Sequence, residues 1–291
     1  MKLSLLYIFL FLPAAPGHAG APEDTIAVLS VESGVYMEAF SAFQAAYGGE
    51  VAHYDLSRQK PELGKDTRLV VAFGGKAANY PYPAGLNVIY CLAPGVFAGP
   101  AENRARITRI SLIPDFSVTF AKLKKIQPGL KRLRLLWVLP ETNPIAKTAK
   151  EEGARQGVQV TAERLENQDE LPAALRRTIG AADAIWLAPD PQIVTPQTLR
   201  LLKEFSWENG IPFYGSTKSM TREGAVASLG VSFAEMGKAA AKAALSLEKG
   251  EPARGTVFPE KIEITLNASA AAKLGIVFPG PILDEAGYLF P

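Results

Sequence analysis

The sequence is poor in the residues on which most catalytic and metal chemistry depends. Its 291 residues include one cysteine, Cys91, and two histidines, His18 and His53. A single cysteine excludes an intramolecular disulfide and a thiolate metal cluster. With His18 so near the N terminus, a zinc site or a His-dependent triad in the body of the chain would rest on His53 alone. A surplus of either charge is also missing: 31 Lys+Arg stand against 29 Asp+Glu, formally +2. That balance does not point to nucleic acid, and no acidic run forms a solvating tail. Neither GxGxxG nor GxxxxGKS/T occurs, which argues against a nucleotide site, and Ser216 in YGST is not the GxSxG elbow of a serine hydrolase. Beyond the first twenty residues no apolar run approaches the ~18 that mark a membrane-spanning helix. What is present is an ordinary globular balance, 48% hydrophobic and 21% charged. The length suits one large domain or two modest ones.

The N terminus reads as an address. Met1-Lys2 precedes the apolar run LSLLYIFLFL (3–12), which Pro13, Pro16 and Gly17 break before the small residues GHAGA. A charged start, an apolar core and a small-residue exit make a secretory signal peptide. The run is about half the length that spans a bilayer. Cleavage is expected after Ala19, so residues 1–19 are the signal peptide. No cysteine lies near that point to carry a lipid anchor. The expected product is exported, not membrane-spanning, and periplasmic in a bacterium with two membranes. Cys91, inside VIYCLA, reads as a small buried hydrophobe.

The body alternates two periodicities. Short β-branched or alternating runs predict strands at 25–31, 50–56, 68–75, 87–93, 133–139, 158–165, 184–189, 211–215 and 225–230, with RITRISL (106–112) an edge or connecting strand. Helical spacing falls between them at 35–47, 116–126, 143–155, 169–178, 195–207 and 232–248. Gly48-Gly49 stops the first helix, and Asn143-Pro144 opens another, because Asn caps and Pro suits the first helical position. Strands separated by helices mean βαβ units and parallel sheets. About ten strands exceed one comfortable sheet, and ISLIPDF (110–116) separates two series. The expected fold class is therefore α/β, with two doubly wound parallel-sheet lobes joined by a hinge near that stretch.

In open parallel sheets, ligands bind beyond the C-terminal ends of the strands. The turns there are Glu32-Ser33-Gly34, Gly74-Gly75-Lys76, Ala93-Pro94-Gly95, Glu141-Thr142-Asn143, Asp190-Pro191-Gln192, Ser216-Thr217-Lys218 and Gly230-Val231-Ser232. Such residues cap helices and also hydrogen-bond small polar ligands. Taken singly each turn is ordinary capping. A site needs their convergence across two facing lobes. Lys76 is either a solvated surface lysine or a partner for an anionic group. Tyr36, Tyr80, Tyr82, Phe116, Tyr214 and Phe233 lie near loop ends, where aromatics either pack the core or sandwich a flat ligand.

From Arg132 onward the sequence resembles the uncharacterised-type substrate-binding proteins of ABC transporters, the group that includes tryptophan- and tyrosine-binding members. The stretches that carry it are LRLLWVLPETNPIA, IWLAPDPQIV, IPFYGSTKSMTREGAVASLGVSFAEMGKAAA and NASAAAKLGIVFP, with VAFGGKAA in the N-terminal half. The resemblance implies a type I periplasmic binding protein: ligand enclosed between two α/β lobes joined by three chain crossings. It implies a small-molecule ligand, an ABC transporter permease as partner, a monomer, no cofactor, no metal and no reaction catalysed. The expected lobes are residues 20–112 plus 231–262 and residues 113–230 plus 263–291. By resemblance Asn143, Ser216 and Gly230 sit at the cleft, as do Ser33 and Gly74. With the strand-end turns, the expected ligand-binding set is Glu32, Ser33, Tyr36, Gly74, Gly75, Lys76, Thr142, Asn143, Asp190, Ser216, Thr217 and Gly230. The chain departs from the family where acidic residues are common, having Thr217, Ser219 and Ser232 there, and Pro191 where a loop Asp is usual. A desolvated ammonium needs an anionic partner, which leaves Asp190 and Glu32 as candidates. A neutral or anionic ligand stands level with an amino acid. The alternative role is a periplasmic ligand sensor or accessory subunit signalling to a receptor or outer-membrane uptake system.

Overall fold

The computed structural model describes residues 24–93, 106–139 and 143–291. The signal peptide expected over residues 1–19 lies outside them. In chain order the first elements are β1 (Thr25–Leu29), α1 (Gly34–Tyr47), β2 (His53–Asp55), β3 (Leu69–Phe73), α2 (Gly75–Ala78), β4 (Asn87–Cys91) and β5 (Arg106–Ile110). Next come α3 (Phe116–Ile126), β6 (Arg132–Trp137), α4 (Asn143–Arg155), β7 (Gln159–Arg164), α5 (Leu171–Arg176), β8 (Ala184–Leu187) and α6 (Pro196–Asn209). The last are β9 (Phe213–Gly215), α7 (Lys218–Arg222), β10 (Ala227–Gly230), α8 (Phe233–Glu248), β11 (Thr256–Val257), β12 (Glu263–Asn267), α9 (Ala268–Lys273), α10 (Gly280–Glu285) and β13 (Ala286–Phe290).

These strands form two sheets, ordered β11-β5-β4-β3-β1-β2 and β13-β12-β10-β9-β8-β6-β7. The first is parallel throughout, and its inner strands are apolar on both faces, as covered parallel strands must be. One face carries α1 and α8 over Phe40, Phe43, Phe73 and Ile89. The other carries the four-residue α2 and loop residues such as Leu63 and Tyr82. The second sheet is parallel from β7 to β10, while β12 runs antiparallel to β10. Its faces pack against α3 and α4 on one side and α5 and α6 on the other.

Local chemistry explains the helix limits. Thr195 caps α6 with a reciprocal Thr195–Thr198 capping box ahead of Pro196, and Gly210 ends it in the left-handed region. Ser232 caps α8 by accepting from the Glu235 amide at 3.2 Å. Asp115 does the same for α3, accepting from Ser117 at 2.8 Å.

The chain passes between the sheets three times, after β5, after β10 and after β11. The first and third passages lie side by side: the Ser111 amide donates to the Val257 carbonyl at 2.9 Å.

Several elements differ from the sequence pattern. RITRISL yields β5, which is not an edge strand, since the two-residue β11 pairs with it on its far side. The helix expected over 169–178 divides into a 3-10 turn (Gln168–Glu170) and α5, with Pro172 in the first turn of α5. The short α7 and the two-residue β11 carry too few residues to show a period, whereas β12 (EITLN) alternates polar and apolar residues and lies, with β13, outside the strands expected above. Thirteen strands stand among the described residues where about ten were expected.

Candidate functional site

The strand ends of the first sheet make one side of the site. The Ser30 amide donates to the Phe73 carbonyl at 2.9 Å, and its hydroxyl accepts from the Ala77 amide at 3.0 Å, so the ends of β1 and β3 are tied together. Gly74 lies against them with φ +97°, its amide donating to the Cys91 carbonyl at 2.8 Å. A Cβ at Gly74 would sit 2.5 Å from both the Ser30 hydroxyl oxygen and the Tyr36 ring. Only glycine admits Tyr36 this close. Beside it, the buried Leu92 holds φ +54°, a backbone state that costs a non-glycine residue energy and concentrates at functional sites. Ser33 is the N-cap of α1, yet its hydroxyl makes no capping bond, and the first turn holds no acidic residue. Gly75 begins α2, and Lys76 is exposed beside it.

Glu32 belongs to the same edge, but it has partners. Its amide donates to Asp55 at 3.1 Å, and its carboxylate lies 3.3 Å from His53 Nε2 and 3.6 Å from Arg58. Asp55 is buried, and a hydrogen bond from Ser57 is the main reason its carboxyl sits below the usual carboxylate range. Arg58 adds to this. His53 packs its ring 4.7 Å from that of Phe40.

The second sheet supplies the other side. Asp190 is 1% exposed and accepts from three backbone amides: Val138 and Leu139 at 2.7 Å each and Gln192 at 2.8 Å. Oδ2 takes both amides that follow β6 and Oδ1 closes the turn at Gln192, so the carboxylate braces the end of β6 against the turn that follows β8. Asn143 is exposed and accepts from the Trp137 indole at 3.2 Å. Thr142 lies outside the described residues. Ser216 ends β9. It is 3% exposed, and its hydroxyl oxygen is buried without a hydrogen-bond partner. Its amide donates to the Met220 sulfur at 3.3 Å. Gly230 ends the neighbouring β10 so close to the Ser216 carbonyl that a Cβ there would lie 3.1 Å from the carbonyl carbon and overlap the oxygen. Thr217 pairs its hydroxyl with that of Ser219 at 2.9 Å.

The structure therefore brings Glu32, Ser33, Tyr36, Gly74, Gly75 and Lys76 to the C-terminal edge of one sheet. It brings Asn143, Asp190, Ser216, Thr217 and Gly230 to the same edge of the other. Asp190 and Glu32, the two carboxylates left as ammonium partners by sequence, are both engaged within the protein. Sequence reasoning missed Ser30, Arg58, Leu92 and Met220. Ser30 follows β1 directly, but its role depends on Ala77, distant in the chain, while Met220 acts on the Ser216 amide only four residues before it. Phe116 and Tyr214 turn out to be core: Phe116 meets Trp186 edge-on at 5.5 Å, and the buried Tyr214 donates to Gln127 at 2.9 Å. His53 is on the first sheet with Glu32 as its partner, while Ser216 follows a strand of the second and its hydroxyl has no hydrogen-bond partner, from His53 or any other described residue. Cys91 is free and buried, and burial pushes its thiol upward. Among the described residues no group of three or more His, Cys, Asp or Glu is placed to hold a metal ion. No helix among them is long and apolar enough to cross a membrane.

Residues 101–289 match the family described as ABC transporter substrate binding protein. The match begins ahead of Arg132 and takes in β5 and α3. Among solved structures, one similar chain is an ABC domain from Streptococcus pneumonia in complex with L-Trp. It is 18% identical, with a TM-score of 0.62 over 91% of this chain and 99% of that one. A second is a conserved domain protein from Vibrio cholerae, 16% identical, with a TM-score of 0.60 over the same shares. A third is the ligand-free, open form of a substrate binding protein with adhesive properties from Clostridium difficile. It is 15% identical, with a TM-score of 0.66, again over 91% and 99%. At these identities the likeness is one of fold. No curated protein matches the chain significantly.

Proposed function

The chain belongs to the ABC transporter substrate binding protein family, and from that premise we propose that it is exported by removal of residues 1–19 and works as a monomer in the periplasm. There it captures a small molecule between two type I lobes and presents it to a permease. The lobes are residues 20–112 plus 231–262 and residues 113–230 plus 263–291. They close about the three passages that follow β5, β10 and β11. Ligand contacts to both lobes favour the closed state, and no bond is made or broken.

The observation that carries this reading is the placement of polar strand ends on two sheets. Ser33, Tyr36 and Gly74 stand at one C-terminal edge, and Ser216 and Gly230 at the other. A hydroxyl that is buried and unsatisfied, as that of Ser216 is, costs stability unless a partner completes it. A ligand oxygen or N–H supplies such a partner. Gly74 and Gly230 let Tyr36 and the Ser216 carbonyl close onto the strand ends, and so fix the walls of the site.

The test is a thermal-shift screen of the chain from Gly20 over amino acids, their deaminated acids, sugars, nucleosides and organic acids. A ligand at a hundred times its dissociation constant adds about 2.7 kcal/mol, a rise of several degrees for a protein of this size. The arms without an ammonium group, the acids and the neutral solutes, are expected to respond, because Asp190 and Glu32 are already engaged. A hit that disappears in Ser216→Val and in Gly74→Ala supports the cleft. A hit unaffected by both, or no response across the panel, refutes it. Small-angle scattering with and without the hit reads lobe closure as a fall in radius of gyration.

A further inference from the structure

Away from the strand ends, a cavity of about 330 Å³ opens at the edge of the first sheet, beneath the C-terminal half of α8. Its origin is topological. β11 pairs with β5 through two residues only, Thr256 opposite Arg109 and Val257 opposite Ile110. One rung earlier, at Thr108, no strand among the described residues flanks β5 on that side, and α8 overhangs the gap. Alternation along β5 places Thr108 on the face of Ile110, which packs in the core beneath α8. A threonine thus stands where the apolar floor would continue. It is 1% exposed, and its hydroxyl oxygen has no hydrogen-bond partner.

The other walls define what fits. Ala243, Leu247 and Val257 are apolar, and Phe258 stands exposed at the rim. Lys242 is held by Glu260 across the mouth. Arg254 has a looser tie: its nearest carboxylate, Glu251, is 3.7 Å away, beyond hydrogen-bond length, and its guanidinium is largely exposed. The volume falls at the lower end of small-molecule pockets. From this combination we propose an accessory binding site, separate from the cleft, for a small amphipathic anion such as an aromatic carboxylate or sulfonate. The apolar body lies against Ala243, Leu247 and Val257. One polar atom completes the Thr108 hydroxyl, and Arg254 receives the acidic group, whose charge a guanidinium matches with two parallel donors.

The probe is 8-anilino-1-naphthalenesulfonate, titrated into the intact protein under native conditions by fluorescence, with phenylacetate as competitor. Saturable binding at one site, displaced by phenylacetate and weakened at least about tenfold by Arg254→Ala, is expected. Arg222→Ala, on a remote surface helix, leaves it unchanged. Ala243→Trp fills the cavity and abolishes binding. Because that variant risks misfolding, Thr108→Val serves beside it, and both are checked by far-ultraviolet circular dichroism. Amide chemical shifts in ¹⁵N-labelled protein locate the probe, and changes at Thr108, Ala243, Leu247 and Thr256 support the site. Shifts confined to Ser33, Gly74 or Ser216, binding indifferent to Arg254→Ala and Thr108→Val, or absence of saturable binding each overturn it.

Discussion

Gly237 sits in the second turn of α8 where that helix crosses α1, and replacing it with alanine sets two general rules against each other. Within a helix, Gly→Ala is worth about 1 kcal/mol of added stability from propensity alone. Here a Cβ would stand 2.9 Å from the Ala39 carbonyl carbon and 3.0 Å from the Phe43 amide nitrogen, and would overlap the Ala39 carbonyl oxygen. These atoms are backbone of α1, so no side-chain rotation makes room. Carbon atoms rest at about 3.5–4.0 Å, so the helices must part by at least roughly 0.6–1 Å to relieve the carbon contact, and by more to clear the oxygen. That gap opens beside Phe40, Phe43, Met236 and Ala240, all buried in one cluster. A gap of that size forfeits a quarter to a half of each contact's attraction. Overpacking of this kind costs about 3 kcal/mol at the upper end of its range. Set against the propensity gain, the net loss is about 2 kcal/mol. For a protein of this size that corresponds to a fall of roughly 4–8 °C in Tm. Urea unfolding followed by circular dichroism measures it, with Lys242→Ala on the exposed side of α8 as a control expected to stay within about 0.5 kcal/mol. A Gly237→Ala variant as stable as the parent, or more so, would refute the close α1–α8 crossing and the reasoning built on it.

Three further outcomes are expected. Asp190→Ala strands the amides of Val138, Leu139 and Gln192 and lowers stability by about 3 kcal/mol or more, while Asn retains part of it. A matched set of urea midpoints reads the difference. Stability falls as the solution is taken below about pH 4. Hydrogen bonds or ion pairs hold the carboxyls of Asp55 (Ser57), Glu260 (Lys242) and Glu285 (Lys122) below their usual range, and in Asp183 bonds from Arg132 and the Lys131 amide outweigh the opposing effect of burial. Folded values depressed below the unfolded ones give stability that is complete above the unfolded values and lost as pH drops through the folded ones. A urea midpoint flat from pH 6 to pH 3 contradicts this. Cys91 stays unreactive toward a thiol reagent such as 5,5′-dithiobis(2-nitrobenzoate) until the protein is unfolded, since burial both hides the thiol and keeps it protonated. Stoichiometric labelling of the native protein within minutes would show that β4 opens.

Much of the framework was legible because it is written in local pattern. The β-branched runs around Ile26, Val70 and Ile89, and the 3.6-residue spacing of Ala39, Phe40 and Phe43, announce strands and a helix regardless of what packs on them. Gly48 marks the end of α1 through a bond only a few residues long, its amide reaching the Gln44 carbonyl from the left-handed region. Counting such elements was enough to expect two α/β lobes, and parallel connectivity placed the polar turns at one edge of each sheet. The C-terminal segment escaped the pattern because a two-residue strand and two six-residue helices show less than two turns of any period.

The identity of the strand-end residues was therefore decided by sequence, and their availability by tertiary structure. Asp190 looked like a free acid, but three amides surround it, two of them from residues about fifty positions away. Glu32 looked like its counterpart until the fold set His53 and Arg58 beside it. Ser216 seemed one polar residue among several, and folding left its hydroxyl buried without a partner. The antiparallel β12 and the overhang of α8 above Thr108 are likewise products of long-range pairing. The reason is the same in each case. Backbone periodicity and capping act within a turn or two of the chain, whereas hydrogen-bond partners and cavities depend on residues that only the closed topology brings within a few ångströms.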